Sequence, residues 1–181
     1  MLQYAPGILL LVMMVGWATW LLGQRKSLSE YVLEQANGKP TLPLCQWVPI
    51  YAADLATLGF SRTGQSWWTN QTLAVLAFKA SGHTPFFVDL GVVKVVGKGV
   101  VVSADRGVSR PLSRDFANGE VRLPLQTHAH ADTHAVMIEI AHPRPPHGTD
   151  QRWLGVAINK IRVCGATDTD SEDIRSPTPN S

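Results

Sequence analysis

Nineteen consecutive uncharged residues, from Ala5 to Gly23, set the first limit on how this chain can fold. As a helix rising 1.5 Å per residue, the run would extend roughly 28 Å, close to the thickness of the hydrocarbon core of a bilayer. Tyr4, Trp17 and Trp20 lie towards its two ends, where aromatic rings favour the membrane interface. A buried core helix would be more amphipathic, and a cleaved signal peptide would need a basic start and a small-residue cleavage site. We therefore predict one uncleaved transmembrane helix.

The residues that flank this span bear on its orientation. Arg25 and Lys26 follow the apolar run directly, and no basic residue precedes it. Because positive charge favours the cytoplasmic side, this local pattern alone would leave the rest of the chain in the cytoplasm. Two charges are a small bias, and a span that once followed other membrane helices would take its direction from them.

Composition narrows the class of the remaining chain. The 181 residues leave room for one ordinary domain beyond the span. A formal net charge of +2 gives no phosphate-binding surface, so nucleic acid is not an expected partner. With 45% hydrophobic and 17% charged residues, the chain has enough apolar side chains to bury a core. Two cysteines cannot build a four-cysteine zinc site, and no pattern calls for a cofactor.

The chain divides into four parts by pattern. Residues 1–26 form the predicted anchor, and residues 27–57 read as a linker. The linker opens with a short helical pattern that stops at Asn37-Gly38, and prolines 40, 43 and 49 then oppose regular helix. Residues 58–164 contain the strand-like runs, and the acidic, proline-containing residues 165–181 have the composition of a disordered tail.

Six runs between residues 72 and 163 have strand length and are separated by turn residues. They are residues 72–78, 85–97, 99–105, 120–127, 135–141 and 153–163, and Gly91 in the second is expected to mark a bulge or a break. No helical period is sustained across this range. We therefore predict a mainly β domain, an antiparallel, jelly-roll-like β-sandwich preceded by one amino-terminal transmembrane helix. The predicted core residues are Val121, Leu123, Leu125, Met137, Ile138, Ile140, Val156, Ile158 and Ile161. Because Met137 and Ile138 are adjacent, only one of them can point inward on a regular strand.

Residues 58–163 resemble a poorly characterised extracytoplasmic β-sandwich domain that follows the membrane spans of bacterial glycosyltransferase-like and phosphoglycerol-transferase-like proteins. The similarity at the closing strand rests on Asp150, Arg152, Leu154, Gly155, Val156, Ile158, Ile161 and Val163, and at the opening strand on Gly59, Ser61, Trp68 and Thr69. An acidic residue usual before the tryptophan is replaced here by Gly64 or Gln65. The resemblance implies a sandwich outside the cytoplasm, anchored in the inner (cytoplasmic) membrane, with a glycan or a membrane-embedded glycosyltransferase-like protein as partner.

Three histidines in the run THAHADTH are candidate metal ligands. His128, His130 and His134 have the same parity, and a His-x-His pair suits divalent metals. The segment lies between two predicted strands and contains turn-forming residues, so a solvated loop in which parity is lost is favoured. Asp132 is the one nearby candidate for a further ligand, and no metal site is predicted.

Aromatic and charged residues near the strand ends are the candidates for ligand binding. Trp67, Trp68 and Trp153 could offer flat faces to a sugar ring, and we expect Trp68 to be buried and Trp67 to be more exposed. Asp150 and Arg152 are two residues apart and on one side of a strand start. A structural salt bridge or turn clamp is the favoured interpretation of this pair, ahead of a ligand site.

The two cysteines lie at opposite ends of the predicted domain. Cys45 belongs to the proline-rich connector, and Cys164 directly follows the last predicted strand. Sequence gives no reason for the connector to pack beside that strand, so we expect two separate thiols. If they were bonded, the large loop would make the bridge strongly stabilising.

No catalytic motif accompanies these features. There is neither a GxSxG elbow nor an HExxH pair, and no nucleophile, base and orienting group can be named together, so an enzyme is not expected. Two hypotheses remain. The chain is either an anchored, glycan-binding accessory protein for cell-surface polysaccharide or glycolipid synthesis or modification, or a non-binding structural subunit of a membrane complex. Exposed aromatics beside polar groups would favour the first, and an apolar patch without a polar groove the second.

Overall fold

A computed structural model describes residues 30–80, 86–105, 107–126, 132–150 and 152–165. The predicted transmembrane segment, His128 and His130 lie outside these residues. No helix within the described ranges is long and apolar enough to cross a membrane.

One short helix and eleven strands make up the described chain. Residues 30–36 are helical (α1). The strands are β1 (Val48–Pro49), β2 (Ala56–Leu58), β3 (Phe60–Thr63), β4 (Ser66–Thr69), β5 (Leu73–Lys79), β6 (Phe86–Val95), β7 (Lys98–Ala104), β8 (Ser109–Leu112), β9 (Ala117–Pro124), β10 (Thr133–His142) and β11 (Val156–Gly165). The six runs predicted from pattern correspond to β5, β6, β7, β9, β10 and β11, and the short strands were not predicted.

The strands form two antiparallel sheets. Sheet I has the order β3-β4-β11-β6-β9, with β1 also paired to β11, and sheet II has the order β2-β5-β10-β7-β8. Neighbours in a sheet are mostly distant in sequence, because the chain passes repeatedly from one sheet to the other after β4. The mainly β, two-sheet character predicted from the sequence is therefore confirmed.

The core lies between the inner faces of the two sheets. All but one of the predicted core residues are at most 5% exposed: Val121, Leu123, Leu125, Ile138, Ile140, Val156, Ile158 and Ile161. Met137 is the exception, as parity required, because it packs on the outer face of sheet II. There it joins a second cluster in which Val32 and Ala36 of α1, both 0% exposed, cover Val75 and Ala77.

The proline-rich segment predicted as a linker is part of the fold. Thr41 forms a bridge with Lys79, Leu44 forms one with Val163, and β1 pairs with β11. Prolines prevent a long strand here, but isolated bridges need only one or two free backbone groups. The ordered unit therefore begins well before residue 58.

Gly91 lies at a register shift, as the sequence predicted. β6 is one continuous strand, and its pairing with β11 slips on both sides of Ile158. A Cβ atom at Gly91 would lie 2.3 Å from Cγ of Lys160, so only glycine leaves room for that lysine. The irregularity opens space on the outer face of sheet I.

Candidate functional site

An ion pair joins the loop before β11 to the end of β3. Arg152 donates from Nε to Oδ1 of Asp150 at 2.8 Å and from Nη2 to Oδ2 at 3.1 Å. The remaining amino group, Nη1, donates to the Thr63 hydroxyl, and Nη2 of Arg144 lies 3.8 Å from Oδ2 of Asp150. The turn clamp favoured for Asp150 and Arg152 is present.

Each group of this clamp stabilises the ionised form of the other. The hydrogen bond from Arg152 holds the pKa of Asp150 below its ordinary value, with further lowering by the charges of Arg152 and Arg144. In turn, the hydrogen bond to Asp150 raises the pKa of Arg152. Both groups are ionised at neutral pH, so the clamp presents fixed donor and acceptor directions at the rim of the sandwich.

The tryptophans occupy positions other than those expected. Trp67 packs against the main core, with its ring centroid 6.1 Å from that of Phe60. It shares a strand face with Thr69, which is 0% exposed and accepts a hydrogen bond from the Val156 amide at 2.8 Å. By alternation, Trp68 therefore faces the opposite side of the strand. The prediction that Trp68 faces the core and Trp67 the outside was wrong, because Trp67 is the one that packs against the core. Nε1 of Trp67 is buried without a hydrogen-bond partner among the described residues.

Trp153 is the exposed aromatic of the predicted platform. It follows Arg152 directly and is 51% exposed. A second exposed aromatic, Tyr51, lies under the guanidinium of Arg62, with 5.7 Å from Cζ to the ring centroid. Arg62 is adjacent to Thr63, the contact of Arg152. Tyr51 thus contacts a charged group, Trp153 directly follows one in the chain, and Trp67 packs against the core instead of joining them as an exposed face. We refer to Trp153 and the Asp150–Arg152 clamp as the rim.

A buried carboxylate on the outer face of sheet I was not found from the sequence. Asp89 of β6 is 2% exposed and accepts hydrogen bonds from two arginines on the neighbouring strands. Arg122 donates from Nε at 2.8 Å and from Nη2 at 3.1 Å, and Arg162 donates from Nη2 at 2.9 Å and from Nε at 3.1 Å. The hydrogen bond to Asp89 raises the pKa of Arg122.

A second ionic row runs beside the first. Lys160 of β11 reaches across Gly91 to Glu120 of β9, with 2.8 Å between Nζ and Oε1. Trp47, just before β1, covers the start of both rows. Its ring centroid is 3.9 Å from Nζ of Lys160 and 4.6 Å from Cζ of Arg162. The sequence signal for this surface was the pair of charged residues at alternate positions of β9 and of β11, together with the single carboxylate of β6.

His134 is the one histidine of the three metal candidates that the structure describes. It is 3% exposed, and its Nδ1 lies 2.6 Å from Oδ2 of Asp105. Asp105 also accepts the Ala135 amide at 2.8 Å. Within the described residues, no group of three or more histidine, cysteine, aspartate or glutamate side chains could hold a metal ion. His134 thus serves the packing at the end of the core, against Phe78.

Cys45 and Cys164 form a disulfide, and the prediction of two separate thiols was wrong. The connector does run beside the last strand, because the Cys45 amide donates to the Val163 carbonyl at 2.7 Å. Cys45 adopts a positive φ of 53°, which turns the chain at this point. The bridge fixes the segment that carries Trp47 onto β11.

No family model matches the chain, and no curated protein matches it. The fold is that of a two-sheet antiparallel β protein in which a disulfide ties the segment before β1 to β11.

Proposed function

We propose that this chain is a membrane-anchored, extracytoplasmic jelly-roll module that binds glycan and assists the synthesis or modification of a cell-surface polysaccharide or glycolipid. Eight consecutive strands support the jelly-roll assignment. They give the orders β4-β11-β6-β9 and β5-β10-β7-β8, which are those of two four-stranded sheets linked by Greek-key crossovers. Jelly rolls serve many functions, lectins among them, so the fold alone does not carry the proposal.

The disulfide supports a location outside the cytoplasm. Disulfides persist in oxidising compartments and are rare in the cytosol, where thiols are kept reduced. This argument opposes the bias of Arg25 and Lys26. The disulfide is the stronger of the two, because a persistent bridge calls for an oxidising compartment, whereas two flanking charges are a small bias. With the apolar run Ala5 to Gly23 as a span, the domain would lie at the outer side of the inner membrane.

Glycan binding rests on one observation, the exposed side chain of Trp153, which directly follows the Asp150–Arg152 clamp in the chain. A flat aromatic face packs against the C–H groups of a sugar ring, and rigid polar groups beside it orient the hydroxyls. The clamp is already paired within the protein, so its donor and acceptor directions do not have to be organised by the ligand. A glycosyltransferase-like membrane protein is the partner that the sequence resemblance suggests.

The binding test uses a glycan array probed with the full chain in a detergent that has no sugar head group. We expect Trp153→Ala to weaken binding about tenfold, as for truncation of an aromatic anchor. Tyr31→Ala is the matched control, because Tyr31 is a similarly exposed aromatic, at 55%, on α1 and away from the rim. Equal signals from wild type and Trp153→Ala would reject the rim as the binding surface.

Location is tested separately with reporters fused to the carboxyl terminus. An extracytoplasmic reporter such as alkaline phosphatase should be active, and a reporter that works only in the cytoplasm should be silent. The opposite result would overturn the location and, with it, the role at the cell surface.

A further inference from the structure

A polar pocket opens on the outer face of sheet I, away from the Trp153 rim. Its volume is about 200 Å³, and its lining includes Gly91, Asn118, Gly119, Glu120, Asn159 and Lys160. These residues come from the three strands β6, β9 and β11, at the point where the β6–β11 register slips. The pocket is therefore part of the sheet and does not depend on a loop.

Two glycines and a left-handed residue shape this pocket. A Cβ atom at Gly91 would lie 2.7 Å from Oδ1 of Asn159 as well as 2.3 Å from Cγ of Lys160. A Cβ atom at Gly119 would lie 2.7 Å from Cζ of the Phe116 ring. Asn118 has a φ of 51°, which directs the chain around the edge of the pocket. Side chains at either glycine would displace groups that form its lining.

The two glycines and the register shift between β6 and β11 lower the stability of the sheet. Glycine inside a strand weakens the strand and often marks the close approach of a ligand or another backbone, and bulges are enriched next to binding sites. The Lys160–Glu120 salt bridge does not repay that cost, because its side chains are 36% and 48% exposed and such surface pairs contribute little. A binding role accounts for the glycines, the register shift and the pocket together.

The polar groups around the pocket suit a ligand rich in hydroxyls. Glu120 offers carboxylate oxygens as acceptors, Lys160 offers an ammonium donor, and the amides of Asn118 and Asn159 offer both. The one positive and one negative charge of Lys160 and Glu120 cancel. Trp47 holds Lys160 in place through its ring. A ligand with many neutral donors and acceptors can satisfy this set, whereas an anion gains no net attraction from the paired charges of Lys160 and Glu120.

We infer that this pocket binds a single uncharged sugar ring, an inference that rests on the proposed glycan-binding function and assigns it a second contact. The volume accommodates one ring, and the opening on the sheet face leaves the rest of a glycan outside. The lining of the pocket includes neither Trp153 nor the Asp150–Arg152 clamp, so the pocket and the rim are separate contacts.

The test measures binding of the methyl glycosides of glucose, galactose, mannose and N-acetylglucosamine to the full chain. Saturation-transfer NMR in a detergent that has no sugar head group detects weak ligands, and we expect one glycoside to bind with a Kd on the order of 1 mM. Glu120→Gln keeps the side-chain size and removes the charge, and Asn159→Ala removes one amide. Each should weaken binding about tenfold. Arg110→Gln, on the exposed strand β8 of sheet II, is the control and should leave binding unchanged.

The outcomes separate this inference from the proposed function. Loss of glycoside binding in Glu120→Gln and Asn159→Ala, with unchanged urea unfolding and with binding kept in Trp153→Ala, supports the pocket. Binding that survives both pocket variants, or an array signal without any glycoside binding, overturns the pocket and leaves the rim proposal standing. Absence of both glycoside binding and an array signal overturns both.

Discussion

Removal of the Cys45–Cys164 disulfide should be the most damaging covalent change to this domain. The bridge links residues that are 119 positions apart, so it closes nearly the whole ordered chain into one loop. Without it, the segment from residue 41 to β1 is held on β11 mainly by short pairings. The substitution tested is Cys45→Ala combined with Cys164→Ala, since a single replacement leaves a buried free thiol at Cys164.

The magnitude follows from the length of the closed loop. The chain-entropy relation, applied to a loop of this length, assigns about 5 kcal/mol to the constraint on the unfolded chain at 25 °C. Compact unfolded chains reduce the effect, so we expect the free energy of unfolding to fall by about 3 to 5 kcal/mol. For a protein of this size, that corresponds to a lowering of Tm by roughly 6 to 20 °C.

Urea unfolding followed by tryptophan fluorescence provides the measurement. The wild type should lose stability when reductant is present, and the double variant should not respond to reductant. Thiol titration in denaturant without reductant should find no free thiol in the wild type. Two free thiols, or a change in unfolding free energy of less than about 1 kcal/mol on reduction, would refute the reasoning.

Two further predictions concern the ion pairs. Asp89→Asn should lower the free energy of unfolding by about 3 kcal/mol, because it leaves two guanidinium groups around a buried neutral amide. The control, Asp54→Asn at the surface pair with Lys39, should lower it by less than about 1 kcal/mol. Similar losses for the two variants in urea unfolding would contradict this prediction. The hydrogen bond from Arg152 lowers the pKa of Asp150 from 3.8, so its stabilising contribution should be complete above that pH and should disappear as pH falls through the lowered pKa. Urea unfolding of the wild type and of Asp150→Asn at about pH 7 and about pH 2 provides the measurement. The difference in unfolding free energy should be present at about pH 7 and absent at about pH 2. An equal difference at both pH values would refute this prediction.

The long strands could be predicted because their information is local. Each of β5, β6, β7, β9, β10 and β11 buries apolar residues on at least one face, and this shows directly in the sequence as alternation or as an apolar run. The position of Met137 could also be anticipated, since its neighbour Ile138 takes the inner face. Short strands such as β1 and β8 contain proline and have only two and four residues, so pairing with distant partners defines them more than composition does.

The orientation of the two adjacent tryptophans could not be derived from their own strand. Alternation requires that one of Trp67 and Trp68 face inward, but it does not say which. Thr69 decides it, because its hydroxyl accepts the Val156 amide inside the sandwich and fixes the phase of β4. That contact spans 87 positions, and a buried threonine is not a pattern that sequence reasoning would choose as an anchor. The disulfide escaped prediction for the same reason, since it depends on where the connector runs.

The charged rows on sheet I show what a fuller reading of the sequence could recover. Asp89 is a lone carboxylate on an apolar strand, and β9 and β11 each carry an arginine opposite their apolar face. A buried carboxylate requires partners, and two arginines on different strands can both reach it only if its strand lies between theirs. The order β9-β6-β11 meets this requirement, and alternation alone leaves that order open. Charge complementarity across a sheet therefore contains information about strand order, and the same central position brings Gly91 between Lys160 and Glu120.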